Sequence, residues 1–560
     1  MKLKNFGFCI AFIGVLLFAA PVYSARQADS KGLAPVVISV GVLSSEGAPV
    51  MGLVPADFQL EVDGRQLKPR QALEEQPQEL ILVFDRLSLE KRSLKRVLKD
   101  VQSFWKTGLS PKTRVMVVLG GASLDILQKP TADTGLLSAA LEKVRDAELL
   151  GDKYRGMKRS LIRSVSSAQT YQSGALKPSA GNSSGAGLGA MADAFGSMQT
   201  QQFTDQVNHL RDQEMSRILQ ALVNIETLVR GTAGKSTRRD IVWIGEDLFA
   251  VPGMDAYYAL YDQFQAFKTS TNLKLPDKWA EEKNLRSQFG TISALAQGME
   301  ASLSVLDVAD RNRYAGDRVN NNRRSVESNK FQDGDPKNMV IHQTGAQSQD
   351  LVWGGKVLAE RSGGIFFYGS RDNGPFFEKL KGLTLGSYQL AFEIRELDGA
   401  LHDFSASTAG ATVYFPKKFA AAHPLSRLID LANAEAILGL GENETGFELI
   451  PGNSITAEDG RVTQTFQIVL PVDRVQFAED GDFRTAHLAI AVEMPEKDGS
   501  LKAPKVFEIP VKVEASRLES AKKVASSFRL LVDDRLGKII FAVRDELSGR
   551  CGSMTLDLSK

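Results

Sequence analysis

The sequence predicts a multidomain protein in which a central α/β unit is flanked by a small N-terminal β-module and a C-terminal antiparallel β-sandwich. Length is the first reason: 560 residues exceed what one hydrophobic core supports. The second is a change of period near residue 76, from short alternating runs to buried strands separated by amphipathic helices. The third is the return of alternation beyond Phe415, broken by Asp-Gly, Ser-Gly and Pro turn signals. Composition is that of an ordinary globular chain, 43% hydrophobic and 24% charged. Lys plus Arg (68) balances Asp plus Glu (67), so no charge excess points to a nucleic-acid partner.

Each element follows in order. Lys2 and Lys4 precede the uncharged run FGFCIAFIGVLLFAA and the small residues of PVYSA. That order of charge, apolar stretch and small residues reads as an export signal over residues 1–24, cut after Ser24 or Ala25. The run is short for a bilayer span and breaks at Pro21, so no transmembrane segment is expected after its removal. The expected location is outside the cytoplasm, periplasmic or extracellular. Of the two cysteines, Cys9 lies in the signal and Cys551 remains, which leaves no partner for an intramolecular disulfide.

VVISVGV and DFQLEVDGRQL alternate, and Asp63-Gly64 marks a hairpin. They predict a β-module over residues 33–75, too small to be stable alone. ELILVFD, the helix SLEKRSLKRVLKDVQSFWKTGL and RVMVVLGG then form strand, helix and strand of a parallel βαβ unit with right-handed crossover. The alternation continues through RRDIVWIGEDLF, ISALAQGMEAS, LSVLDVAD and GGIFFYGS to SYQLAFEIRE, so the α/β unit is expected over residues 76–415. Two insertions are expected to be flexible. Residues 153–204 are polar and small, as in SAGNSSGAGLGAMADAFGS, and 311–349 are basic and Asn-rich. RVTQTFQIVLPV, HLAIAVEM and KIIFAVRDELSGRCGSMTLDL alternate through 416–560, as a sandwich requires.

The five histidines are scattered without zinc-ligand spacing, and GxSxG, GKS/GKT and GxGxxG are all missing. No cofactor is expected. The order of PVMGLVPADFQLEVDGRQL, LILVFDRLS, RRDIVWIGEDLF, VLAERSGGIFF and SYQLAFEI, spanning roughly Val36 to Phe415, resembles the von Willebrand factor A-related exported proteins of acidobacteria and their relatives. The resemblance implies a doubly wound, Rossmann-type sheet that binds ligands at the carboxyl edge of its strands. In relatives with an intact metal-ion-dependent adhesion site, an Asp-x-Ser-x-Ser loop, a Thr and an Asp hold Mg²⁺ or a similar hard cation through oxygen.

This chain departs from that pattern. Asp85 fills the first position, but Leu87 and Leu89 stand at the serine positions, and Ser88 between them points away in an extended loop. Thr134, with Thr131 as its alternative, and Glu246, next to Asp247, are the remaining remnant ligands. A shell so depleted implies no metal, with Mg²⁺ or Ca²⁺ bound only if the remnant still coordinates, and leaves Asp85 a local hydrogen-bonding role. With no catalytic residues expected, the reading is a non-catalytic protein-binding module of adhesion or assembly type. A carboxylate hydrolase using Asp85, Glu246 and Asp247, and an envelope scaffold, are the alternatives.

Overall fold

The computed structural model describes residues 34–557 apart from 75–77, 108, 111, 169–184, 235–237, 265–270, 272, 310–351, 369–371, 442, 457–461, 496–503, 519 and 533–537. The expected signal at 1–24 and the insertion at 311–349 therefore lie outside the described residues. So does the most Gly/Ser-rich part of the other insertion.

The chain opens with β1 (Ala34–Ser44), β2 (Phe58–Val62), β3 (Arg65–Leu67) and β4 (Gln71–Glu74). Asp63 and Gly64 join β2 to β3 with φ of 49° and 76°, the left-handed pair that a two-residue hairpin turn demands.

The central sheet follows. Its strands are β5 (Gln78–Asp85), β6 (Thr113–Gly120), β7 (Leu124–Thr131), β8 (Arg238–Gly245), β9 (Ala301–Asp307) and β10 (Phe366–Tyr368). They lie in the order β10-β9-β8-β5-β6-β7, all parallel except the edge strand β7. Every residue of β5, β8 and β9 is buried, as expected of parallel strands covered on both faces. Between them run α1 (Lys91–Thr107), α2 (Thr134–Asp146), α3 (Gly151–Ser167), α4 (Gly185–Gly231), α5 (Met254–Phe264), α6 (Pro276–Lys283), α7 (Arg286–Gly298), α8 (352–362) and α9 (Gly374–Leu385).

Side-chain alternation divides the helices between the two faces. Leu80, Leu82 and Phe84 pack with α1, α2 and α9. Ile81 and Val83 pack with α4, α7 and α8. The winding reverses between β5 and β8, which leaves a crevice at their carboxyl ends.

Beyond the central sheet the chain returns to the N-terminal strands. β11 (Ser387–Ile394), β12 (Leu401–Thr408), β13 (Ala411–Tyr414) and β14 (Lys418–Ala420) complete an antiparallel sheet of order β3-β2-β12-β13-β1-β11-β4, with β14 on β12. SYQLAFEI, read in sequence as the end of the α/β unit, is thus a strand of the N-terminal module. Its Leu390 and Phe392 enter a core with Val36, Ile38, Val40 and Phe58. A segment of some forty residues gains a sheet wide enough to bury one face by recruiting strands from some 350 residues downstream.

The C-terminal region begins with a helix, α10 (Pro424–Leu438), where the sequence reading expected only strands. Leu428, Leu431 and Ala432 bury it on Ala489, Ala491, Ile540 and Ala542. Next come β15 (Glu448–Thr456), β16 (Val462–Pro471), β17 (Ala478–Asp480), β18 (Phe483–Glu493), β19 (Lys505–Glu514), β20 (Lys523–Val532), β21 (Lys538–Asp545) and β22 (Cys551–Asp557). They form two antiparallel sheets, β15-β16-β20 and β17-β18-β21-β22 with β19 on β18. Phe466 and Ile468 of the first face Leu488, Ile490 and Phe541 of the second across one core. The whole is a multidomain α/β protein with a mixed central sheet and antiparallel sheets on either side.

Candidate functional site at the carboxyl edge

Asp85 ends β5 at the crevice and is fully buried. The chain beyond it turns at once: the Ser88 and Leu89 amides donate to the Asp85 carbonyl at 3.2 and 3.0 Å. That turn brings Ser88 beneath Asp85, so the expected extended loop with Ser88 pointing away is corrected. The Ser88 hydroxyl donates to Asp85 Oδ2 at 2.6 Å and accepts the Glu246 amide at 3.0 Å. Asp85 Oδ1 accepts the Leu87 amide at 3.0 Å. One hydroxyl thus ties the loop after β5 to the loop after β8. Burial raises the Asp85 carboxyl above its ordinary value, against the hydrogen bond from Ser88 and the charge of Arg217.

Glu246 follows β8 and is also buried. Burial pushes it up to about 7, although the Arg155 guanidinium beside it acts in the opposite direction. Arg155 comes from α3 and is 4% exposed. It contacts Glu246, Asp247 Oδ2 at 2.9 Å and Glu90 Oε1 at 3.1 Å. One guanidinium thus gathers three carboxylates from two loops at the switch point. Asp247 holds φ at 62°, a left-handed conformation that turns the loop and its carboxylate toward α3.

A second cluster adjoins the first. One helical turn on from Arg155, Lys158 Nζ lies 3.1 Å from Glu214 Oε1 of α4 and 2.8 Å from Asp255 Oδ2 of α5. Burial alone would lower the Lys158 ammonium, but Asp255 and Glu214 outweigh it and hold its pKa above the ordinary value. Arg217 approaches Glu214 at 3.5 Å and lies over the Tyr154 ring, 4.7 Å from its centroid. Buried charges persist when paired, and each of these has an opposite charge beside it, although among the described residues Arg217 Nε and Nη2 have no hydrogen-bond partner.

Asp85, Ser88 and Glu246 therefore meet at one edge, but Thr134 does not. β7 runs antiparallel, and its last residue, Thr131, pairs with Val115 near the start of β6. Val115 in turn pairs with Leu80, five residues before Asp85, or about 17 Å along a strand. Thr134 begins α2 behind the N-cap Asp133, at the opposite edge of the sheet. The loop that does reach Asp85 is 147–151: the Leu150 amide donates to the Arg86 carbonyl at 2.9 Å. Gly151 sits so close that a Cβ there would lie 2.2 Å from the Ser88 carbonyl oxygen.

Sequence reasoning missed Arg155 and Lys158 because it assigned 153–204 to a flexible insertion, and it missed Glu214 and Asp255, which lie beyond that stretch, because without α3 nothing local marks them as partners of a buried lysine. Residues 151–167 are instead helix, and α4 runs from Gly185. The available signal was the spacing Tyr154, Lys158, Leu161 and Val165, a helical stripe whose second member is charged. Among the described residues, no three His, Cys, Asp or Glu side chains are arranged to hold a metal ion. A crevice of about 10 Å³, about the room one water needs, lies beside the cluster, lined by Trp243, Glu246, Asp247, Asp307 and Phe366. A scan against protein-family models finds no match for this chain, and a search of curated proteins finds no relative.

Proposed function

We propose that the chain is a non-catalytic, extracytoplasmic binding protein whose central domain is of the von Willebrand A type. It grips a protein partner at the carboxyl edge of the sheet without a metal ion. The observation that carries this reading is Arg155. It stands among Glu90, Glu246 and Asp247, beside one of the residues that the resemblance assigns to the metal site, and supplies positive charge from within the chain. The 3-2-1-4-5-6 strand order with an antiparallel third strand supports the domain type. The signal-like N-terminus supports the location.

A carboxylate hydrolase is the weaker reading. Asp85 is engaged by Ser88 and Leu87, and Glu246 and Asp247 by Arg155, which leaves no pair of carboxylates free to divide acid and base roles across a substrate. The rim around the buried cluster offers what a protein partner uses. Leu150 is 43% exposed, beside exposed Asp152 and half-buried Arg86. An exposed apolar residue with charged neighbours is the usual make-up of a contact centre and its rim. The test is capture of partners from an envelope extract in EDTA, with wild type and Leu150→Asp compared by quantitative mass spectrometry. A protein retained by the wild type and depleted at least tenfold by Leu150→Asp, with an unchanged melting temperature, is the expected result. Identical capture by both would remove the edge from consideration.

A further inference from the structure

α1 covers one face of the central sheet between α2 and α9. Its apolar side is closed: Leu94, Val97, Leu98, Val101, Phe104 and Trp105 are all buried. Its outer side is of one charge. Lys91, Arg92, Lys95, Lys99 and Lys106 are all exposed, and at 100° per residue they fall within an arc of about 100° along about 22 Å of helix. No acidic residue shares that arc. Asp100, the only carboxylate of the helix, is half-buried on its side and accepts from Asn373 at 2.9 Å. Among the described residues, the five cationic side chains have no ion-pair partner. The neighbouring exposed charges of α2 compensate one another, with Arg145 paired to Glu142 and Asp146. The Lys91 end meets exposed Asp152, whose Oδ2 accepts the Lys91 amide at 3.1 Å; beyond it, among the described residues, a cationic strip runs without counter-charge along the middle helix of a three-helix layer.

We propose that this strip docks the protein on an anionic lipid bilayer, through headgroup charge and without insertion. Charge complementarity sets the sign of the partner, and the shape of the surface sets its class. A nucleic-acid strand is held in a groove with stacking aromatics, whereas the strip lies on an open helical face whose two aromatics, Phe104 and Trp105, point inward. A protein partner needs an apolar anchor at the centre of the contact, and the only other residue on the arc is Gln102, with Ser103 just beyond its border. A plane of anionic headgroups needs neither groove nor anchor. The absence of exposed apolar residues on α1 makes the contact purely electrostatic and reversible. The helix axis would then lie parallel to the bilayer, with the carboxyl edge of the sheet facing sideways and open to a partner.

The test is sedimentation of the full chain with phosphatidylcholine vesicles and with vesicles that also contain phosphatidylglycerol, across a salt series. Wild type is expected to bind only the anionic vesicles and to be released by salt. A Lys91→Gln, Lys95→Gln and Lys99→Gln triple variant should bind roughly a hundredfold more weakly, each charge contributing about fivefold. A triple variant of equal charge change elsewhere, Lys278→Gln, Lys505→Gln and Lys538→Gln, should bind as wild type does. These lysines are exposed, so circular dichroism should show both variants folded. Failure of wild type to bind anionic vesicles would overturn the proposal, as would equal loss in the two triple variants. Tighter binding to single-stranded DNA or to polyglutamate than to the vesicles would overturn it in favour of a polyanion or an acidic protein.

Discussion

The sequence Asp-x-Leu-Ser occurs twice at the end of a strand, and both copies fold the same way. At Asp85-Arg86-Leu87-Ser88 the carboxylate accepts the Leu87 amide and the Ser88 hydroxyl, at 3.0 and 2.6 Å. At Asp545-Glu546-Leu547-Ser548 it accepts the Leu547 amide and the Ser548 hydroxyl, at 3.2 and 2.5 Å. The second copy lies in the hairpin of the C-terminal sandwich, so the shared geometry is a local turn device, the side-chain mimic of a backbone turn. This accounts for Asp85 without a ligand. Ser88 carries an added duty, because its hydroxyl also accepts the Glu246 amide. Ser88→Ala should therefore destabilise by about 1–3 kcal/mol in urea unfolding, the cost of leaving buried polar groups unpaired, whereas Ser548→Ala, in a partly exposed turn, should cost less.

The titrating residues give a second prediction at this scale. Glu246 and Glu493 are buried and pushed up to about 7. Among the described residues, both oxygens of Glu493 lack a hydrogen-bond partner. An unfolded glutamate loses its proton near 4.5, so between there and about 7 the folded state binds more protons, and stability falls as pH rises. His402 acts in the same sense. Hydrogen bonds to Asp63 and Asp398, at 2.7 and 3.0 Å, raise its pKa, so its contribution is full below 6.5 and lost as pH climbs through the folded value. The melting temperature should therefore fall between pH 5 and pH 8. Glu493→Gln should recover up to about 3 kcal/mol at pH 8 and little at pH 5. A melting temperature that rises across this range would contradict the assignment.

Among the elements, α3 decides the character of the site. It delivers Arg155 and Lys158 into a buried carboxylate cluster, and Gly151 lets its first turn rest on the Ser88 carbonyl. Removing one partner from a buried charge cluster leaves the others uncompensated. Arg155→Met is expected to cost about 3–5 kcal/mol, read by chemical denaturation, and to raise the pKa of Glu246 further. The strands that position this site were legible in the sequence, because ILVFD, VMVVLGG, DIVWIG and LSVLD are unbroken apolar runs of strand length. α3 was not, because Arg155 and Lys158 place charge where a buried stripe should be apolar, and only the tertiary pairing explains them. α10 was hidden by its position among strands, although Leu425, Leu428, Leu431 and Ala432 keep a helical period. Thr134 was misplaced because a sequence carries no record of which edge of the sheet an antiparallel strand returns to.

The whole molecule is held together by returns of the chain that local patterns do not announce. The N-terminal module becomes a complete sheet only when β11 to β14 arrive from beyond the central domain. α10 joins the sandwich to α4, where Leu438 would meet a Cβ on Gly231 at 2.4 Å and Gly234 lies against the Arg427 carbonyl. These close approaches pack α10 against the C-terminal end of α4 in the central domain. They leave the carboxyl edge and the basic flank of α1 as surfaces open to other molecules. Arg155 supplies positive charge at this edge, and under the proposed function the edge needs no divalent ion. The most direct measurement is thermal unfolding of the wild-type chain in EDTA and then in millimolar Mg²⁺, Ca²⁺ or Mn²⁺. An ion at a hundred times its Kd would add about 2.7 kcal/mol. An unchanged midpoint in all three is the predicted result; a rise that disappears in Asp85→Asn would show that the edge still binds an ion and would contradict it.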